Sequence, residues 1–221
     1  MGGNRLPANL RSFGGEVKAL DSALQSTSGL NATGSVTCLN LIRAGSSFFN
    51  RIGRRVELKN ITFSAAVAPL RTSTTSTSEY IRIIVVYDRQ TNGANPAIAD
   101  VLQSVDQAGA NTTTSFSGIN LNNRDRFRIF IDERITLPNI TVAGAITTSP
   151  SVDIDPLKTT FNIKRFVKLG RELTQYKADS APAVVGDIAT GGLFLVMLGS
   201  AGAGTEAYGL NWESRVRFND V

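Results

Sequence analysis

The sequence predicts an all-β chain, and three observations carry that expectation. Apolar and polar residues alternate with period two in several stretches, of which Arg126 to Asp132 is the cleanest. Two further stretches, Glu79 to Asp88 (EYIRIIVVYD) and Gly192 to Gly199 (GLFLVMLG), are almost wholly apolar. That pattern suits central strands covered on both faces. Long connections rich in Ser, Thr, Gly, Asn and Pro separate these stretches, and helical spacing is nearly absent. Eight or nine strands joined in this way fit a sandwich or a closed barrel, with Greek-key crossings rather than a meander.

In chain order, Met1 to Gly15 carries four glycines, a proline and two arginines and reads as an extended arm. The body is expected to span residues 16–221 as one domain, because no repeat or linker divides it. Glu16 to Ser26 reads as a strand, although Val17, Leu20 and Leu24 would also suit a helical turn. TSGLNATG has turn chemistry, and Ser35 to Ile42 is a second strand. In Arg55 to Val67 the apolar positions change phase. Val56 and Leu58 have one parity, and Ile61, Phe63, Ala65 and Val67 the other. Strand side chains alternate strictly, so a bulge, a bend or a change of covering layer is required near Asn60.

Pro69 to Ser78 is a Ser/Thr loop, followed by the first apolar strand. Ala97 to Ser104 carries a short helix, with Ile98, Val101 and Leu102 at helical spacing, and Gln107 to Ser117 is polar loop. In Arg126 to Asp132, Phe127, Ile129 and Ile131 share one face. Pro138 to Pro156 is a long aperiodic loop, the kind that is usually functional or interfacial. Thr160 to Leu169 is a strand interrupted by Arg165, Leu173 to Tyr176 a short one, and Ala178 to Asp187 a loop. The second apolar strand follows. Leu210 to Phe218 closes the chain with Leu210, Trp212, Val216 and Phe218 inward and Asn211, Glu213, Arg215 and Arg217 outward.

Composition excludes several kinds of chemistry. There is no histidine, which removes the commonest general base and the commonest zinc ligand. GxSxG, GxxxxGK[ST] and GxGxxG are all missing, so no catalytic residue, metal or cofactor is expected. Asp153 and Asp155 in VDIDP are two loop carboxylates, better read as turn formers than as a calcium site. The single cysteine, Cys38, allows no intrachain disulfide. No apolar run reaches the roughly 18–20 residues needed to span a bilayer, and MGGNRLPANL has no secretory apolar core. Membrane insertion is therefore not expected.

The charge is uneven. The net charge is +5, and residues 1–60 hold eight basic residues against three acidic ones, while the remainder balances at fifteen each. A one-sided basic segment points to a polyanion partner. Arg51, Arg54 and Arg55, with Lys59 just beyond, sit where a strand begins, directly after Phe48 and Phe49. Arginine grips phosphate and an adjacent aromatic stacks on a base, so these residues, with Arg5 and Arg11, are the candidate nucleic-acid-binding set. The competing reading has the phenylalanines plugging a core edge and the arginines pairing with carboxylates. Arg215 and Arg217 read as a solvated face, of interest only where that face lines an interior.

NRIGRRVELKNI, then YIRIIVVYDRQTNGANP, NRDRFRIFID and a closing RVRF resemble the capsid proteins of circovirus-like, Rep-encoding single-stranded DNA viruses, whose coats are themselves similar to those of some satellite viruses. The likeness is densest over Asn50 to Asp132. It implies a single eight-stranded antiparallel jelly roll, a two-sheet sandwich with long loops. It also implies self-assembly into a small icosahedral shell of sixty copies (T=1) around circular single-stranded DNA, with a basic inner wall bearing Arg51, Arg54 and Arg55. Virion localisation and assembly in the host nucleus follow from the same resemblance. Such proteins commonly begin with a long Arg-rich arm, whereas only Arg5 and Arg11 precede Glu16 here. Genome binding is then expected to be weak and salt-sensitive. The alternative of another class is a jelly-roll carbohydrate-binding module or adhesin, which needs an exposed aromatic platform.

Overall fold

The two apolar stretches lie side by side. In the computed structural model, which describes residues 17–27, 30–69, 79–138, 160–177 and 183–221, eleven strands form. They are β1 (Lys18–Thr27), β2 (Ser35–Cys38), β3 (Arg55–Pro69), β4 (Glu79–Asp88), β5 (Leu102–Gln103) and β6 (Gly118–Ile119). The others are β7 (Phe127–Leu137), β8 (Phe161–Tyr176), β9 (Ile188–Thr190), β10 (Gly192–Gly199) and β11 (Tyr208–Asp220). A one-turn helix, α1 (Ile98–Val101), precedes β5. The expected arm (residues 1–15), the Ser/Thr loop from residue 70 onward, the long loop from residue 139 and Asp153 and Asp155 lie outside the described residues.

The strands form two main antiparallel sheets, ordered β1-β11-β3-β8-β9 and β2-β10-β4-β7, plus the β5-β6 pair. β4 and β10 pair from Gly192↔Asp88 to Gly199↔Ile81. Their alternate side chains serve two layers. Ile81, Ile83, Val85, Leu193, Leu195 and Met197 enter the core between the sheets, with Phe63, Trp212, Val216 and Phe218 opposite. Ile84, Val86, Phe194, Val196 and Leu198 form a second cluster on the outer face, packed by Val101 and Leu102 of the α1-β5-β6 excursion. Both strands are therefore apolar on both faces because the chain covers this sheet twice.

The phase change in β3 is a bulge at Lys59. Both ladders of β3 slip there, against β11 between Phe218 and Arg217 and against β8 between Leu58 and Asn60. The extra residue reverses the parity, so that Val56, Leu58, Ile61, Phe63, Ala65 and Val67 all enter one core. On β8 the facing residues Gly170 and Arg171 have φ of 66° and 65°, which carries one strand through the region expected to be two. β7 departs from expectation in the same way. Its ladder with β4 slips at Phe130, so Phe127 and Ile129 pack in the outer cluster while Ile131 enters the central core. A single face for all three was the wrong reading, because a one-residue slip exchanges faces. The second strand is also shorter than expected, ending at Cys38.

Ion pairs fasten the excursion to β4. Arg82, buried on the outer face, grips Asp132 with two bonds of 2.7 Å and donates to the Ser115 and Ser117 carbonyl oxygens. Asp88 accepts two bonds from Arg126 at 2.9 and 2.8 Å. Arg82→Met is expected to cost about 2–3 kcal/mol, since it strands two carbonyls and a partly buried carboxylate. Chemical denaturation measures that loss, and limited proteolysis should then cut within residues 104–117.

Glu79 begins β4 buried, accepting from the Ala207 N–H at 2.8 Å. Its other oxygen has no partner among the described residues. Burial raises its pKa, with a smaller contribution from Glu206. A carboxyl raised on folding destabilises the folded state once pH climbs through its folded pKa, and costs nothing below the unfolded value near 4.3. Glu79→Gln is accordingly expected to unfold at higher denaturant than the wild type at pH 7, with the difference closing toward pH 4.

Candidate nucleic-acid interface

The other sheet has one face that the described chain barely covers. Along β11 the exposed residues are Asn211, Glu213, Arg215 and Arg217, and every residue between them is buried. Register places the outward positions of four strands in rows. Asp21, Arg215, Thr62 and Phe166 form one row, and Ala19, Arg217, Asn60 and Lys168 the next. Glu213, Ser64 and Lys164 form a third. Arg215 is taken by Asp21 through two bonds of 2.7 Å, and this hydrogen bonding holds the Asp21 carboxyl below the ordinary carboxylate range. Arg217, Lys164 and Lys168 have no ion-pair partner among the described residues.

Phe48 and Phe49 border this face from the loop between β2 and β3. The loop is closed by Arg51, whose N–H donates to the Arg43 carbonyl at 2.8 Å and whose carbonyl accepts from the Gly45 N–H at 2.9 Å. Lys18 ties it to β1 by donating to the Asn50 carbonyl at 2.9 Å while pairing with Asp220 at 2.8 Å. An open groove of about 640 Å³ results, lined by Phe48, Phe49 and Phe166 with Asn60, Arg215 and Arg217 among its other walls.

The sequence-predicted basic set separates here. Arg51 is 0% exposed. Its guanidinium donates to the Ile42 and Gly53 carbonyls at 3.1 and 2.7 Å and lies 4.2 Å over the Tyr176 ring. An interior guanidinium is not offered to phosphate, so its role as a direct contact is corrected to that of an anchor for the Phe48–Phe49 loop. Arg54 and Arg55 are exposed at the start of β3. Lys59 sits at the bulge, 3.7 Å from Glu57, which also pairs with Arg171 at 3.0 Å. Arg5 and Arg11 lie outside the described residues.

Sequence reasoning missed the pairing of Phe166 with this face. Its signal was parity alone, since Phe166 is out of phase with the inward Ile163 and Leu169. The competing reading, in which Phe48 and Phe49 plug a core edge, is not what the fold shows: they are 54% and 57% exposed, and Phe166 is 61% exposed.

Cys38 is half-buried and burial pushes its thiol up to about 12, so it is not a thiolate nucleophile. No group of three or more His, Cys, Asp or Glu residues that could hold a metal occurs among the described residues. No helix among them is long and apolar enough to cross a membrane.

The coat protein of Maize white line mosaic satellite virus is 29% identical over 132 residues. That match spans 57% of this chain and 56% of the relative, about half of each. A solved chain from Desmodium yellow mottle tymovirus aligns over 92% of this chain and 87% of its own length, at 8% identity and a TM-score of 0.33. The profile of the Geminivirus coat protein/nuclear export factor BR1 family matches residues 15–221. With nearly its whole length matched, the chain belongs to the Geminivirus coat protein/nuclear export factor BR1 family.

Proposed function

We propose that this chain is a viral coat protein, a jelly-roll subunit of a small icosahedral shell, T=1 with sixty copies, enclosing circular single-stranded DNA. The observation that carries the reading is the strand pairing. Leaving aside the short β5, β6 and β9, eight strands remain. The first pairs with the last (β1 with β11), the second with the seventh (β2 with β10), the third with the sixth (β3 with β8) and the fourth with the fifth (β4 with β7). One long hairpin rolled over itself produces that order, and viral coats use it repeatedly. Lateral contacts between copies on closed symmetry would also cover the edge strands β1, β2 and β7. The RIGRR and VVYDRQTNG blocks support a circovirus-like origin within the family.

In this reading residues 1–15 are an arm and residues 16–221 the shell domain. The genome side carries Arg54, Arg55 and Lys59 with Arg5 and Arg11 of the arm, and assembly takes place in the host nucleus. Negative-stain microscopy with the 260/280 nm absorbance ratio tests the proposal. Uniform small shells, with a ratio raised by nucleic acid when the genome is packaged, are expected. A chain that stays monomeric in low and high salt with no shells would overturn it. The carbohydrate reading gains an aromatic platform at Phe48, Phe49 and Phe166, but beside it, next to the Asp21–Arg215 pair, Arg217 has no ion-pair partner among the described residues and suits phosphate.

A further inference from the structure

We infer that the groove on the bare face of the β1-β11-β3-β8 sheet is a base-stacking site for single-stranded nucleic acid. Phe48, Phe49 and Phe166 would hold unpaired bases, and Arg217 and Lys168 the flanking phosphates. The inference rests on the reading above that the shell encloses nucleic acid, and it assigns the contact to residues outside the basic run at the start of β3. Four features point to this ligand.

Three phenylalanines more than half exposed line one groove, although ring burial is among the largest gains folding offers. Their edges carry no polar group, so they recognise flat apolar faces without sequence preference, as single-strand stacking platforms do. Arg217 and Lys168 lie in one cross-strand row, on either side of Asn60, next to the row that ends in Phe166. Neither has an anionic partner among the described residues, while Asp21 is committed to Arg215. Aromatic faces and cations without an ion-pair partner among the described residues thus share one open face. Duplex nucleic acid hides its base faces and would leave the phenylalanines unused. A second copy docked on this face would bury Arg217 and Lys168, cations with no carboxylate partner among the described residues, which disfavours the contact.

The test uses the full chain and fluorescence anisotropy with four labelled probes of equal phosphate number: oligo-dT, oligo-rU, an abasic strand and a duplex. Wild type is expected to bind oligo-dT about tenfold more tightly than the abasic strand, with duplex no better than abasic. Phe166→Leu and the double variant Phe48→Leu/Phe49→Leu keep apolar bulk but remove the rings, and each should abolish most of that difference while melting like wild type. Arg217→Gln should weaken all probes and reduce the salt slope by about 0.7. Comparable oligo-rU and oligo-dT affinities would mean that stacking does not select the sugar, and a preference between them would identify the polymer this site takes.

Equal binding of abasic and base-bearing strands overturns the inference. So do leucine variants with unchanged oligo-dT affinity, and leucine variants that bind normally but no longer form shells, which would make the face a contact between copies. In each of these cases wild-type shells still form and the coat assignment stands. Absence of wild-type shells would instead remove the reading on which the inference rests.

Discussion

Asn40→Leu is expected to cost about 3–4 kcal/mol of subunit stability. Asn40 is fully buried just past β2, where the two sheets meet. Its Nδ2 donates to Thr174 Oγ1 on β8 at 2.8 Å and to the Gly191 carbonyl at 3.0 Å. Its Oδ1 accepts from the Leu193 N–H on β10 at 2.9 Å, and its backbone carbonyl accepts from the Tyr176 hydroxyl at 2.6 Å. One side chain thereby ties a strand of each sheet to the turn before β10. Leucine fills the volume but leaves the Leu193 N–H without its acceptor in a dry site, and each such orphan costs roughly 1–3 kcal/mol. The turn cannot relax to compensate. A Cβ at Gly191, where φ is 81°, would overlap the Leu173 carbonyl and the Tyr87 hydroxyl, so the backbone already packs to contact there. Urea unfolding of the unassembled subunit should show a lower midpoint with an unchanged slope, and the melting temperature should fall by roughly 6–15 °C. A loss below about 1 kcal/mol would mean that the network is not the tie between the sheets.

Arg51→Ala is expected to cost about 3–4 kcal/mol, while Arg54→Gln/Arg55→Gln changes stability by less than about 0.5 kcal/mol and lowers nucleic-acid affinity. The contrast follows from placement. Truncating Arg51 empties a fully buried site, frees the Ile42 and Gly53 carbonyls and removes a guanidinium stacked on Tyr176. The loop carrying Phe48 and Phe49 then loses its anchor, so base-dependent binding should weaken together with stability. Arg54 and Arg55 are exposed, and what they contribute to folding is carried by backbone. The Arg54 carbonyl accepts from the Tyr176 N–H at 2.8 Å, and the Arg55 carbonyl from the Val221 N–H at 3.2 Å. The double variant should flatten the salt dependence of oligonucleotide binding while leaving the denaturation curve in place. An Arg51→Ala protein as stable as wild type would return Arg51 to the surface set.

Most of the β architecture was legible because its signal is local. Period-two alternation fixes which face of a strand is apolar, and a run such as GLFLVMLG leaves no polar face to expose. The broken phase between Leu58 and Ile61 called for a bulge, a bend or a change of covering layer near Asn60, and the ladders put a bulge at Lys59. Partner choice was not legible in the same way. Nothing local says that β3 lies between β11 and β8, since many pairings satisfy the same alternation. The slip at Phe130 was not located either: Phe127, Ile129 and Ile131 share one parity, the apolar Phe130 between the isoleucines does not say which way the strand slips, and only the ladder with β4 shows that they serve two layers.

The basic set shows the same division. Composition located the positive charge and adjacency grouped Arg51, Arg54 and Arg55, but spacing along a chain does not distinguish a buried guanidinium from an exposed one. The sequence by itself determined that the chain is an all-β fold with two doubly covered strands, a kinked third strand and no histidine-based chemistry. Only the tertiary structure decided that the 89–126 excursion covers one sheet and that, among the described residues, the other keeps a nearly bare face. It alone brought Phe166, Arg217 and Phe48 together from three distant stretches. Alternation is a property of one strand, whereas a surface belongs to the strands that register places side by side.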